Sequence, residues 1–524
     1  MLNESPTVGE ILRSQAHRRG DYSLLICDAE RVSYAEADRL SAQLARGLVA
    51  LGAGKGSHVG LLYPNSVAFV VGMLAAARIG AVVVPFSTFA TGRELREQLV
   101  DSDTEILLAA VSFRSHDYVQ RLTEMLPGLL LDSSDRVFDV ATPQLRHVVF
   151  DFARVYRLAE TVDDALLAAM EDDVEGSDPL AIVYTSGTTS TPKGVVHTHA
   201  ALLNHQRNLN TIRKLTAADK LFCNSPFFWI GGFGFALLAT LIAGSSLVCS
   251  NAEDPGQMLD LLEAEKPTVT NGFAAGIAHL ARHPSFAGRN LSSMRRGNLY
   301  PIMAPEVRPA DPELRHNMLG LTEAGSVVLI SADDTDQPVR RRGSFGKPAP
   351  GLEAKIVDPD TEMPVEDGAL GELCIRGPCL MQRYYRRSRE ECFDADGWLH
   401  TGDLAATDND GFVYYIGRRG SMIKTAGANV SPGEVEQAIA KVTGGAVAHV
   451  FGIADPDRGQ VVAAVVALDK GAELDETTLR RQLAAELSVY KIPKRFAALP
   501  TAQIPLLPSG KVDLQELTRF FDAG

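Results

Sequence analysis

Residues 184–194 read Tyr184-Thr185-Ser186-Gly187-Thr188-Thr189-Ser190-Thr191-Pro192-Lys193-Gly194. A loop of small hydroxylated residues with one glycine and one lysine offers backbone N–H groups, hydroxyl donors and a cation at the same place. Oligophosphate oxygens require that chemistry. The ordinary P-loop has Gly and Ser or Thr where Pro192 and Gly194 stand, so this is a phosphate cradle of another kind. A hydrophilic hairpin turn uses the same residue types. The unbroken run from Thr185 to Thr191 ahead of Pro-Lys-Gly is more than a turn needs. A second stretch, Phe227-Phe228-Trp229-Ile230-Gly231-Gly232, sets aromatic rings beside two glycines. Such residues line a pocket for an apolar ligand or pack a core, and composition leaves those two readings level.

The loop needs a rigid frame. Residues 180–184 are an apolar, partly β-branched run that predicts a buried strand, and 195–198 predict a second, with Thr198 capping a helix that opens at His199. Upstream, Ser33-Tyr34-Ala35-Glu36 is a capping box whose helix should run to Leu51-Gly52. Strands at 58–63, 81–85 and 105–110 should alternate with helices at 66–80 and 93–101, the pattern of a parallel, doubly wound sheet. Further on, 235–242 predict a helix and 246–249 a strand, while 267–280 and 291–307 have strand-helix-strand character. From Gly343, short strands at 346–350, 354–358 and 371–376 between Gly and Pro turns suggest a small β-barrel. A strand at 412–416, a helix at 432–441, strands at 446–452 and 461–468 and a helix at 477–487 predict an α+β module of its own.

Size and composition bound the reading. At 524 residues, two to four cores are expected, and 45% hydrophobic with 22% charged residues is the balance of a soluble globular chain. A formal charge of −14 argues against nucleic-acid binding, which needs a basic face. The cysteines (Cys27, Cys223, Cys249, Cys374, Cys379 and Cys392) lack paired metal-ligand spacing and predict reduced thiols in a cytoplasmic protein. No signal peptide and no membrane span are expected.

Taken in order, the stretches 184–194, 319–323, 343–351, 398–403 and 417–432 with Glu434 and Glu436, and then 508–511, resemble the acyl-adenylate-forming superfamily. That superfamily contains acyl-CoA synthetases, peptide-synthetase adenylation domains and luciferases, and this chain is closest in character to the acyl-CoA ligases. The resemblance implies an α/β fold. Its large N-terminal part (1–419) would hold two doubly wound sheet-helix subdomains and a β-barrel. A small mobile α+β domain (420–524) would follow, with its hinge near Gly420. It implies ATP, coenzyme A and Mg²⁺ as reaction partners of a small-molecule carboxylic acid, through an acyl-adenylate. Thr185, Ser186, Gly187, Thr188, Thr189, Ser190 and Lys193 would cradle phosphates. Leu319 stands at the adenine position. Thr322 would contact phosphate, Glu323 would hold Mg²⁺, and Asp403 and Arg418 would hold the ribose. Lys511 would be the mobile adenylating lysine, and Gly427 would line the pantetheine tunnel. Trp229, Gly231, Gly232, Phe273 and Ala274 would wall the acyl pocket.

Three departures from that pattern fall around ATP: Ser190 replaces a usual glycine, Leu319 an aromatic, and Tyr300-Pro301-Ile302-Met303-Ala304-Pro305 a Gly-Gly-Ala loop. Elsewhere Gly420 replaces the usual hinge Asp or Lys, Trp229 a frequent histidine and Arg383 a glycine before Tyr-Tyr. One reading is a ligase that runs both half-reactions. Another is a half-enzyme that makes the thioester from acyl-AMP supplied by a separate adenylating partner. A carrier-protein-loading ligase and a non-catalytic adenylate-binding protein are further alternatives. With no carboxylate at 227–232 to pair an amine, apolar or bulky acids are favoured over amino acids.

Overall fold

The apolar runs His58–Leu62, Val82–Pro85 and Pro179–Tyr184 are neighbouring strands of a seven-stranded sheet. Its order is Arg383–Tyr384, Gly194–Thr198, Pro179–Tyr184, Val82–Pro85, His58–Leu62, Ile106–Ala109, His147–Val149. The pairs from Pro179–Tyr184 onward are parallel, and the first two strands join antiparallel. These strands and their helices belong to a computed structural model describing residues 5–126, 136–185, 193–272, 274–277, 279–419, 423–425, 428–430, 432–455, 459–469, 474–487, 489–507 and 512–522. The chain separates into two units, Met1–Glu353 with Arg376–Gly397 and Ala354–Ile375 with Trp398–Gly524.

In the larger unit a second sheet runs Arg296–Gly297, Val269–Asn271, Lys220–Cys223, Ser246–Cys249, Ser23–Cys27, Glu30–Ser33, parallel except for the last pair. The helix Val67–Arg78 is buried from Phe69 to its end, as an almost wholly apolar sequence demands. Its terminal Arg78 is buried with it and paired to Asp38 (2.9 Å) and Glu171 (2.5 Å), because an uncompensated charge there would be strongly destabilising. Cys27 and Cys249 are register partners on adjacent strands, Cys223 follows the Phe222–Val248 pair on the next, and all three thiols are buried.

The capping box forms as expected: Ser33 accepts from the Glu36 N–H and Glu36 accepts from the Ser33 N–H, opening the helix Tyr34–Ala50. Thr198 caps His199–Ile212 by accepting from the Ala201 N–H. Residues 291–307 are different from the expectation. Only Arg296–Gly297 pair as strand, and prolines 301 and 305 restrict the rest to the short 3₁₀ turns Tyr300–Ile302 and Pro305–Val307. The hairpin Ser23–Cys27/Glu30–Ser33, the strand Arg495–Pro500 and the helix Leu514–Asp522 are additions to the elements that the sequence predicts.

The β-rich region contributes a three-stranded sheet (Leu319–Leu321, Ser326–Ile330, Lys347–Pro348) and a four-stranded one (Glu353–Val357, Gly371–Arg376, Leu399–Thr407, Val413–Arg418). The remainder of the smaller unit is α+β. Its long strands Ala448–Asp455 and Gly459–Leu468 send Val450, Val462 and Ala464 toward a core shared with Val435, Ile439, Leu479 and Leu483. Their opposite face packs Phe451, Ala463 and Val465 against Leu517 and Phe521, the period-two alternation of a sheet covered on both sides. Among the described residues no helix is long and apolar enough to cross a membrane.

Candidate active site

Strand pairing fixes the two ends of the hydroxyl-rich loop. Gly194 pairs with Tyr184 in the antiparallel ladder, and the Thr185 N–H donates to the Lys193 carbonyl over 3.0 Å. The next strand, Arg383–Tyr384, pairs Tyr384 with Val195, while Tyr385 N–H donates to Gly194 O and Gln382 N–H to Val196 O. This register brings the Tyr384 ring beside Lys193, whose Nζ lies 4.9 Å from the ring centre. The Tyr384 hydroxyl donates to Glu323 Oε1 over 2.8 Å, and the Met381 N–H donates to the Glu323 carbonyl over 2.7 Å. Lys193, Tyr384 and Glu323 thus meet. Sequence reasoning passed over Tyr384, although the Tyr-Tyr pair after Arg383 was its signal.

Thr322 and Glu323 lie on the one-turn 3₁₀ helix Thr322–Ala324, which links Leu319–Leu321 to Ser326–Ile330. Four bonds hold this link from below. His197 Nε2 donates to Thr322 O (2.7 Å), His205 Nε2 to Val327 O (2.9 Å), and Gln206 Nε2 to Gly325 O (2.9 Å) and Ser326 Oγ (3.1 Å). A carbonyl only accepts, so each imidazole carries its hydrogen on Nε2. Burial pushes both rings down to about 4, which keeps them neutral at pH 7. Gly325 closes the turn with φ +70°, and a Cβ there would stand 2.7 Å from Leu202 Cδ2, so glycine is required. Leu319 is half-buried and pairs with Leu329 across the hairpin.

Glu323 offers a single carboxylate to a hard cation, and among the described residues no group of three or more His, Cys, Asp or Glu converges into a metal shell. A divalent ion there would have to take its other ligands from elsewhere.

In the smaller unit, Asp403 and Arg418 face each other as register partners on adjacent strands, with Arg418 Nε 2.8 Å from Asp403 Oδ1. The Asp403 side chain is only 2% exposed and that of Arg418 40%, so the carboxylate is the fixed member and the guanidinium the wet one. The turn before Asp403 is braced by its neighbours. Asp403 N–H donates to Thr401 Oγ1 (3.0 Å), Thr401 Oγ1 to Leu373 O (2.6 Å) and Gly402 N–H to Glu372 Oε1 (2.8 Å). A carboxylate held this way can accept a pair of hydroxyl hydrogens.

The rings of the aromatic-glycine stretch differ in burial. Phe227 and Phe228 are core residues, the first tilted against Phe69 and the second edge-on to Phe89, whereas Trp229 is half-exposed with its ring edge-on to Phe228. The helix expected at 235–242 begins earlier, at Ile230, and its middle, Phe233–Leu238, is a π-helix. Arg213 Nη2 donates to Phe235 O (2.7 Å) and Asn210 Nδ2 to Ala239 O (2.8 Å), which satisfies carbonyls along the widened turn. A Cβ on Gly232 would lie 2.1 Å from Pro226 O, so the chain doubles back here only with glycine. Gly231 and Ala274 are half-buried. A cavity of about 570 Å³ lined by Arg93, Arg96, Asp117 and Arg121 shares no residue with these groups. Ser186, Gly187, Thr188, Thr189, Ser190, Phe273, Gly420, Gly427 and Lys511 lie outside the described residues.

Comparison with known proteins shows the family. The AMP-binding enzyme family matches residues 12–385, and the AMP-binding enzyme C-terminal domain matches residues 434–511. The chain is similar to the feruloyl-CoA synthase of an Amycolatopsis species, 30% identical over 94% of this chain and 94% of that protein. It is also 30% identical to 4-coumarate–CoA ligase 1 of Oryza sativa subsp. japonica, over 93% of this chain and 87% of that one. The crystal structure of the anthranilate CoA ligase AuaEII in complex with anthranoyl-AMP superposes with a TM-score of 0.82 over 99% of this chain and 98% of that one. At 24% identity, that likeness speaks for the fold. The chain belongs to the AMP-binding enzyme family.

Proposed function

We propose that this protein is an acyl-CoA ligase that joins an apolar or aromatic carboxylic acid to coenzyme A through an acyl-adenylate, with ATP converted to AMP and pyrophosphate. The observation that carries the reading is the convergence of Lys193, Tyr384 and Glu323 at the hydroxyl-rich loop. In the first half-reaction a carboxylate oxygen attacks the α-phosphorus, the bond to the β-phosphate bridging oxygen breaks, and pyrophosphate leaves with that electron pair. Negative charge gathers at the phosphates, so a fixed cation, Lys193, and a carboxylate able to hold a counter-ion belong beside them. Glu323 would hold Mg²⁺, which would supply charge neutralisation. Thr322 offers a hydroxyl next to it. Asp403 accepts hydrogens from the ribose hydroxyls, and Arg418 adds a donor there.

In the second half-reaction the CoA thiolate attacks the acyl carbonyl and AMP departs. We assign Lys511 to the first step and Gly427 to the second, with domains 1–419 and 420–524 turning about Gly420 between them. Trp229, Gly231, Gly232, Phe273 and Ala274 wall the acyl site in this reading, in a cytoplasmic enzyme. Support for aromatic acids comes from the feruloyl- and 4-coumarate-activating relatives and from the absence of a carboxylate at 227–232.

The test is to supply a panel of hydroxycinnamic, benzoic and fatty acids with ATP and CoA, and to measure pyrophosphate and thioester together. One observation favours a second reading: the aliphatic Leu319 on the strand leading to Thr322, where a ring would stack on adenine. If no acid releases pyrophosphate but synthetic acyl-AMP with CoA yields thioester, the half-enzyme replaces the ligase. Ser190→Gly with Leu319→Tyr then restores some ATP use. Failure of both mixtures leaves an adenylate-binding protein, and preference for a holo-carrier protein over CoA redirects the acceptor.

A further inference from the structure

Resting on the ligase reading, we propose that Arg387 forms with Lys193 a two-cation clamp around the Tyr384 ring that takes the terminal phosphates of the nucleotide and the pyrophosphate released from it. Lys193 Nζ and Arg387 Cζ lie 4.9 and 5.9 Å from the centre of the same ring. Among the described residues neither cation has an ion-pair partner. The neighbouring arginines are engaged otherwise. Arg386 pairs with Asp103 at 2.9 Å, and Arg389 stacks on Phe393 at 4.1 Å while donating to Gln382 O.

The backbone is bent to put Arg387 there. Its N–H donates to Tyr384 O over 3.1 Å, closing a turn whose third residue, Arg386, has φ +61°. A non-glycine residue in that region is strained and persists only where surroundings impose it. Here they do. Arg386 Nη2 donates to Val100 O and Asp103 Oδ1, both at 2.9 Å, the Tyr385 hydroxyl donates to Asp103 Oδ2 over 2.9 Å, and Arg383 Nη1 reaches Arg387 O at 3.4 Å. The strained turn serves to return a cation over Tyr384.

Two like charges facing one ring repel until an anion sits near both. Pyrophosphate, carrying several charges on separated oxygens, matches two cations better than AMP does, because AMP has one phosphate.

The experiment is calorimetric titration of the full-length protein with inorganic pyrophosphate plus Mg²⁺, and separately with AMP. The proteins compared are wild type, Arg387→Gln and Arg387→Lys. The expected result is a loss of about tenfold in pyrophosphate affinity for Arg387→Gln, with AMP affinity unchanged and partial recovery in Arg387→Lys. The salt dependence of pyrophosphate binding should become shallower in Arg387→Gln. Equal pyrophosphate binding by wild type and Arg387→Gln, parallel weakening of AMP and pyrophosphate, or no pyrophosphate binding by wild type overturns the clamp. The two proposals fail separately. An absence of thioester formation with Arg387-dependent pyrophosphate binding ends the ligase reading alone. Full ligase turnover with pyrophosphate binding indifferent to Arg387 ends the clamp alone.

Discussion

The Tyr384 hydroxyl and Glu323 Oε1 are 2.8 Å apart although they stand 61 positions apart in sequence, and this bond ties the edge strand Arg383–Tyr384 to the turn Thr322–Ala324. Glu323→Gln should lower acid-dependent pyrophosphate release at least about 100-fold, because it removes the only charge of the pair. Tyr384→Phe keeps the ring beside Lys193 and removes one hydrogen bond to a charged group, worth about 1.5–3 kcal/mol, so a loss of about 10- to 100-fold is expected. Steady-state pyrophosphate release against Mg²⁺ concentration checks both. Turnover of Glu323→Gln at the wild-type rate would remove Glu323 from the site.

Asp403 and Arg418 give a second, separable test. Asp403→Asn keeps the shape but loses the charge that accepts from hydroxyls, and AMP affinity should fall about 10- to 100-fold. Arg418→Gln should cost less, since its guanidinium is 40% exposed and water screens it. Calorimetry with AMP and with 2′-deoxy-AMP decides. If wild type binds the two equally well, Asp403 does not read the ribose.

Three buried histidines predict a distinct acid sensitivity. His197, His199 and His205 are each pushed down to about 4 by burial, below the unfolded value of about 6.5. Between those values the unfolded chain binds protons that the folded chain refuses, so stability is complete above about pH 6.5 and falls as pH drops toward 4. Each histidine contributes a slope of up to about 1.4 kcal/mol per pH unit in that window. Urea unfolding at pH 7, 6 and 5 should show the decline, and His197→Gln should remove one proton from it. An identical slope in that variant would refute the assignment.

Adjacent glycines should respond oppositely to the same methyl. In Gly232→Ala the new Cβ would meet Pro226 O at 2.1 Å, forcing the turn open at a cost of about 1–3 kcal/mol seen as a lower melting temperature. In Gly231→Ala the nearest atom is Ser225 Oγ at 3.3 Å, so the protein should keep most of its stability. A methyl added to an acyl pocket there shifts the ratio of kcat/KM between narrow and wide acids about tenfold or more. An unchanged ratio would place Gly231 away from the acyl group.

Local chemistry was legible wherever one or two residues decide the outcome. Ser33 with Glu36 announced a helix start, Thr198 a cap, and the β-branched run 180–184 a buried strand. Longer-range outcomes were not legible. The segment 291–307 has apolar content like that of a strand-helix unit, yet its prolines leave it in 3₁₀ turns. The carbonyls of Phe235 within the π-helix Phe233–Leu238 and of Ala239 just after it are met by Arg213 and Asn210, more than twenty residues earlier, partners that no local pattern reveals. Tyr384 joins the site through strand register, since only its pairing with Val195 brings it to Lys193. The family-derived phosphate, ribose and acyl residues came from motif order, and composition alone would have left the Phe227–Trp229 rings undivided between core and surface.

The distribution of the cysteines equips each unit with its own opening clock. Cys27, Cys223, Cys249 and Cys379 are buried in the larger unit and Cys374 in the smaller, while Cys392 is half-exposed. Burial pushes the Cys223 and Cys379 thiols up to about 11, so they react with an alkylating reagent only when their surroundings part. Cys392 marks zero time. Mass-spectrometric labelling of Cys374 against the row on the parallel sheet would then time the breathing of the two units independently, within a single wild-type molecule and with no probe attached beforehand.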